Sequence, residues 1–199
     1  MQKMLRTNAP FQYSPGLVSF SVNSQYMPGL TGLSSYGTGT PSTTATRYYT
    51  YFTVPTDAVI SGLALYLATG QTGAKARLGV YSNVNALPTA LLADFGEVDL
   101  SGSAGIVEAT STTLRIRASQ GGVWICTFMK NVATQATING CGPAPFCLPM
   151  TAAQIAAGNS IRGYTTTGDA YGALPSTVTS PATTAAGSNA VPLAYVKIQ

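Results

Sequence analysis

"KARLGVYSNVNALPTALLADFGEV", residues 75–98, decides the fold class. Its first half has strand periodicity: Ala76, Leu78 and Val80 alternate with Lys75, Arg77, Gly79 and Tyr81, so one face should meet a core and the other water. Asn83, Asn85 and Pro88 then predict a loop. Strand followed by Gly, Pro and Asn punctuation is the signature of an all-β chain.

Working outward, similar segments recur from Arg47 onward: "RYYTYFTV" (47–54), "AVISGLALYLA" (58–68), "TTLRIRA" (112–118), "GVWICTFMK" (122–130), "SIRGYTTT" (160–167) and "PLAYVKI" (192–198). Leu114 and Ile116 oppose Arg115 and Arg117, again one face inward and one outward. "GVWICTFMK" is apolar on both faces, as in a central strand covered on both sides. Trp124, Cys126 and Phe128 should point one way, and Val123, Ile125 and Met129 the other. Trp124, the single tryptophan, is read as core rather than as a sugar-stacking platform. One short helix is predicted at "TAAQIAAG" (151–158), where Thr151 caps, Gln154 completes a capping box and Gly158 terminates. Together these signals predict an all-β fold, a jelly-roll-like β-sandwich with an extended N-terminal arm and one short helix.

The arm spans residues 1–46 and the sandwich domain residues 47–199. Phe11, Tyr13, Phe20, Tyr26 and Tyr36 are scattered through the arm among Pro, Gly, Ser and Asn, a composition that builds no core of its own. The bland reading is a floppy tail. The preferred reading is an arm that orders against a partner, with those five aromatics as its contacts.

The chain has 199 residues, enough for one domain with a full core. Only 8% are charged, against about 25% in ordinary proteins, so solubility rests on hydroxyls and amides. The net charge of +4 is dispersed and forms no nucleic-acid stripe. "TNAPFQYSPG" after Arg6 lacks the apolar run of a signal peptide, so export by that route is not expected. The apolar segment 58–68 falls short of the ~20 residues of a spanning helix, so no membrane insertion is expected.

Cys126, Cys141 and Cys147 are too few for a disulfide scaffold, and with no histidine they lack a fourth zinc ligand. Cys141 and Cys147 flank "GPAPF", a loop that a disulfide could close in an oxidising setting, whereas Cys126 reads as core. The absence of histidine also excludes Ser-His-Asp and Cys-His catalysis. Asp94, Glu97 and Asp99 cluster and could form an acid/base pair or a Ca²⁺ site. They are read instead as solvated turn residues. No phosphate-cradling glycine motif occurs, and neither an enzyme nor a cofactor is expected.

"ARLGVYS", "LPTALLADFGEV" and "LRIRA…GGVWICTF" resemble a recurrent β-sandwich module of tailed-bacteriophage virion proteins, most like capsid decoration (cement) or head-fibre proteins. The matching positions are Arg77, Leu78, Gly79, Val80, Tyr81, Pro88, Leu91, Leu92, Gly96 and Trp124, within residues 47–130. The pattern does not extend to the Cys141–Cys147 loop or to residues 168–190. The resemblance implies a virion protein assembled in the host cytoplasm. The leading role is a decoration protein whose partners are the major capsid protein and sibling subunits, as a homotrimer. The rival role is a module binding host-surface glycans or a receptor at the tail or head fibre. Tyr48, Tyr49, Tyr51, Tyr164 and Tyr171 are its candidate aromatics, with Tyr164 and Tyr171 the glycan contacts to test, against the bland reading of β-propensity alone.

Overall fold

Alternation of large apolar and small polar residues builds two antiparallel sheets, which face each other across one apolar core. The computed structural model describes residues 26–28, 36–54, 57–141, 163–184 and 191–199. These residues form strands β1 (Tyr26–Pro28), β2 (Tyr36–Gly39), β3 (Thr46–Thr53), β4 (Ala58–Thr69), β5 (Lys75–Val84), β6 (Leu87–Asp99) and β7 (Gly105–Ala109). After β8 (Leu114–Ile116) come β9 (Gly122–Met129), β10 (Thr137–Cys141), β11 (Gly163–Thr167), β12 (Ala182–Thr184), β13 (Val191–Pro192) and β14 (Ala194–Ile198). No α-helix occurs among the described residues. The helix expected at 151–158 and the Cys147 half of the loop that a disulfide could close lie outside them.

One sheet has the order β12-β11-β3-β9-β5-β6. The other runs β1-β14-β4-β10-β13, with β7 and β8 also paired to β4 and β2 to β10. Leu63, Leu65 and Leu67 of β4 meet Ala76, Leu78 and Val80 of β5 and Val123, Ile125 and Met129 of β9 in the core between the sheets. The all-β sandwich expected from the sequence is therefore present.

Three local expectations change. The predicted loop after Ser82 shrinks to a turn at Asn85 and Ala86, both with positive φ, and the chain returns at once as β6, with Leu87 opposite Val84. Pro88 fits because β6 lies at the edge of its sheet, where a missing N–H breaks no central ladder. Asp94, Glu97 and Asp99 consequently sit on a strand rather than in a turn. Lastly, Gly79 and Tyr81 of β5 are buried, so that part of the strand's second face does not meet water.

The segment expected to be an extended arm also contributes strands. In β1, Tyr26 stands opposite Lys197 of β14, and in β2, Tyr36 stands opposite Cys141 of β10. Just before β3, Ser42 N donates to Tyr48 Oη at 3.0 Å and Val132 N to Thr43 O at 3.1 Å. Residue 46 therefore marks no structural break. Phe11, Tyr13 and Phe20 lie outside the described residues.

Candidate binding site on the six-stranded sheet

The outer face of the six-stranded sheet carries a second core. Since side chains alternate along a strand, Trp124, Cys126 and Phe128 of β9 turn away from the first core and join Tyr49, Tyr81, Tyr164 and Leu174. The rings meet edge to face: Tyr49 and Tyr81 at 5.4 Å between centroids, Tyr51 and Trp124 at 5.1 Å, Trp124 and Tyr164 at 5.2 Å. Trp124 Nε1 donates to Asn83 Oδ1 at 3.0 Å, so its one polar atom is satisfied.

Residues 168–181 cover this face as a strap. The strap starts at Gly168, whose φ of +98° reverses the chain after β11. Leu174 packs over Gly79, where a side chain on β5 would collide with it. Tyr81 Oη donates to Pro175 O at 2.8 Å. At the sheet edge, Leu91 N donates to Ser176 O at 2.9 Å and Val178 N to Thr89 O at 2.8 Å, forming a bridge between Ala90 and Thr177. Tyr171 Oη donates to Glu97 Oε2 at 3.0 Å and its ring lies 5.0 Å from that of Phe128.

Beneath the start of the strap, the Arg47 guanidinium is 4.4 Å from the Phe128 ring centroid and pairs with Asp169 and the Thr166 hydroxyl. Arg47 is only 6% exposed, so its charge is desolvated and balanced locally by one carboxylate. Its Nε has no hydrogen-bond partner, nor does Tyr49 Oη make one of good geometry, although the Thr166 hydroxyl and the Cys126 thiol lie beside it. Burial pushes the Tyr49 hydroxyl and the Cys126 thiol well above their ordinary pKa ranges, so both are neutral and the thiol is inert.

Arg47 and Tyr49 line a cleft of about 490 Å³ between β11 and the far end of the strap. Its other walls are Thr165, Thr166, Thr167 and Asp169 on one side and Pro175, Thr177, Val178, Thr179 and Ser180 on the other. A wider, open depression of about 1080 Å³ lies beside Thr43, Lys130, Asn131, Asp169 and Tyr171.

The glycan candidates separate by burial. Tyr164 is 5% exposed with its ring in the second core, so it presents no face to a ligand. Tyr48 and Tyr49 are likewise buried. Tyr171 is half-buried and edges the open depression. Two of the clustered acids are held in cross-strand pairs, Arg77 Nε to Asp94 at 2.8 Å and Lys75 Nζ to Glu97 at 2.6 Å, and Asp99 accepts from Ser101 N at 2.9 Å. The Lys75 hydrogen bond holds the Glu97 carboxyl below its ordinary range. Arg47, Asp169 and the hydroxyls of the strap were not singled out by sequence reasoning. The available signal was Leu174 and Val178, two large apolar residues inside a long run of Thr, Ser, Gly and Ala.

Fold and site define an antiparallel β-sandwich with a strapped outer face and a hydroxyl-lined cleft at the strap's edge. Comparison with protein-family models and with curated proteins finds no match for this chain.

Proposed function

We propose that the protein is a structural component of a tailed-phage virion, a jelly-roll-like capsid decoration protein that binds the major capsid protein and stabilises the head. The observation that supports this most is the clustering of the ten positions of the resemblance. Arg77 to Tyr81 lie on β5, Pro88, Leu91, Leu92 and Gly96 on β6, and Trp124 on β9, three neighbouring strands of one sheet. A contiguous block is the arrangement that a single module would give. The low charge density also suits a surface packed among many neighbours, where an unpaired charge is costly to bury.

In this reading residues 1–25 supply the contact with the lattice through Phe11, Tyr13 and Phe20, and sibling copies associate as trimers. Modest affinity per copy suffices, since neighbouring contacts add avidity. Heads purified without this chain should lose thermal or mechanical robustness and regain it when the protein is added back. Unchanged heads that never bind the added protein would overturn the proposal.

A second reading, a carbohydrate- or receptor-binding module of the tail or head fibre, is favoured by one observation, the hydroxyl-rich lining of the cleft between β11 and the strap, in which Arg47 and Asp169 pair with each other. Saturable binding of the isolated protein to a glycan array and to whole host cells would promote it over the first.

A further inference from the structure

We infer that the cleft between β11 and the strap is a binding site for a neutral saccharide, read through its hydroxyls rather than by aromatic stacking. This rests on the second reading above and names where its ligand sits.

The volume of about 490 Å³ falls within the ~300–1,000 Å³ of ordinary small-ligand sites. Charge narrows the ligand class. Among the described residues Arg47 and Asp169 are the charged residues of the lining, and they pair with each other, so that lining carries no net charge. A phosphate or carboxylate ligand would have to compete with Asp169 for Arg47, and a cationic one with Arg47 for Asp169.

The remaining polar walls are hydroxyls: Thr165, Thr166, Thr167, Thr177, Thr179 and Ser180. A hydroxyl both donates and accepts, which matches the hydroxyls of a sugar ring. Pro175 and Val178 supply apolar surface for the C–H face of a pyranose. Arg47 and Tyr49 also border the cleft, with Nε and Oη buried and without a hydrogen bond of good geometry.

Tyr164 is buried and, among the described residues, no exposed aromatic ring lines the cleft, so the hydroxyls rather than a stacking ring carry the recognition. A few net hydrogen bonds put a single cleft at a Kd on the order of 1 mM. Many copies on one particle would raise such weak binding to useful avidity.

The test uses the full chain in isolation, so it does not depend on where the protein sits in a particle. Glucose, galactose and N-acetylglucosamine are titrated while backbone amide NMR shifts are followed, with N-acetylneuraminic acid and glucose 6-phosphate as charged probes. The expected result is saturable shifts at residues 165–169 and 177–182 with at least one neutral sugar, weakened about tenfold by Thr177→Val together with Thr179→Val. Both side chains are exposed, and the unshifted amides of β9 report that the variant is folded. Asp169→Asn should reverse the preference, weakening the neutral sugar and admitting the phosphorylated one as Arg47 loses its counter-charge. Shifts with none of the neutral sugars, or a preference for the charged probes in the native protein, would overturn the site. Neutral-sugar binding unaffected by all three substitutions would also overturn the cleft while leaving the glycan-binding reading intact.

Discussion

Tyr81, in the middle of β5, donates its hydroxyl to the carbonyl of Pro175 at 2.8 Å, and this bond ties the strap to the strand beneath it. Removing it by Tyr81→Phe keeps the ring in the second core but leaves the carbonyl without its donor. The expected cost is about 1 kcal/mol in denaturant unfolding, with faster proteolysis within residues 168–181. Unchanged stability and unchanged cleavage would show that the strap is held by other contacts.

Gly79 makes room for Leu174. A Cβ at residue 79 would collide with the Leu174 side chain and stand 3.0 Å from Ala93 O, so Gly79→Ala should destabilise by about 1–3 kcal/mol through overpacking. Leu174→Ala should cost about 2–5 kcal/mol by leaving a cavity. Because each change relieves part of the other's defect, the double variant should be more stable than the sum of the singles predicts. Strict additivity in a double-mutant cycle would place Leu174 elsewhere than over Gly79.

The same architecture was only partly legible in the sequence. Alternation along β9 assigned Trp124, Cys126 and Phe128 to one face and Val123, Ile125 and Met129 to the other, and the two cores divide them in that way. β6 was missed because its ladder with β5 is interrupted by register shifts at Leu78/Gly79, Val80/Tyr81 and Tyr81/Asn83, so no period of two survives in "LPTALLADFGEVD". The strap was invisible for a different reason. Leu174 and Val178 have no strand or helix periodicity around them, and Arg47 and Asp169 are 122 residues apart, a pairing that only the folded sheet reveals.

The ionisation of tyrosine should report the second core. Burial raises the hydroxyls of Tyr49 and Tyr81 well above their ordinary range, so each favours the folded state at all pH values below about 10. That contribution is lost as pH rises from the unfolded value toward the folded one. The buried pair should appear as an absorbance phase above the ordinary tyrosine range that coincides with loss of near-ultraviolet dichroism. One smooth phase near pH 10 with folded protein would contradict burial. On the acid side Glu97, depressed by Lys75, adds a small term present above the ordinary glutamate range and lost as pH falls through its folded value. With no histidine, stability should be flat between about pH 6 and pH 9.

Deletions separate sheet strands from the proposed anchor. Removing residues 1–25 spares β1 and β2, so the product should keep the thermal midpoint of the full chain yet fail to join particles. Removing residues 1–40 also strips β1 from β14 and β2 from β10, and should lower the midpoint measurably. Incorporation of the shorter deletion at the full level would move the docking surface onto the sandwich itself.

The central claim, a decoration protein of the phage head, is tested most directly by the copy number of this chain per purified particle, measured by quantitative mass spectrometry against the major capsid protein. Hundreds of copies, lost together with a drop in head thermal stability when the chain is omitted, are the predicted result. A handful of copies per particle, or none, would contradict it.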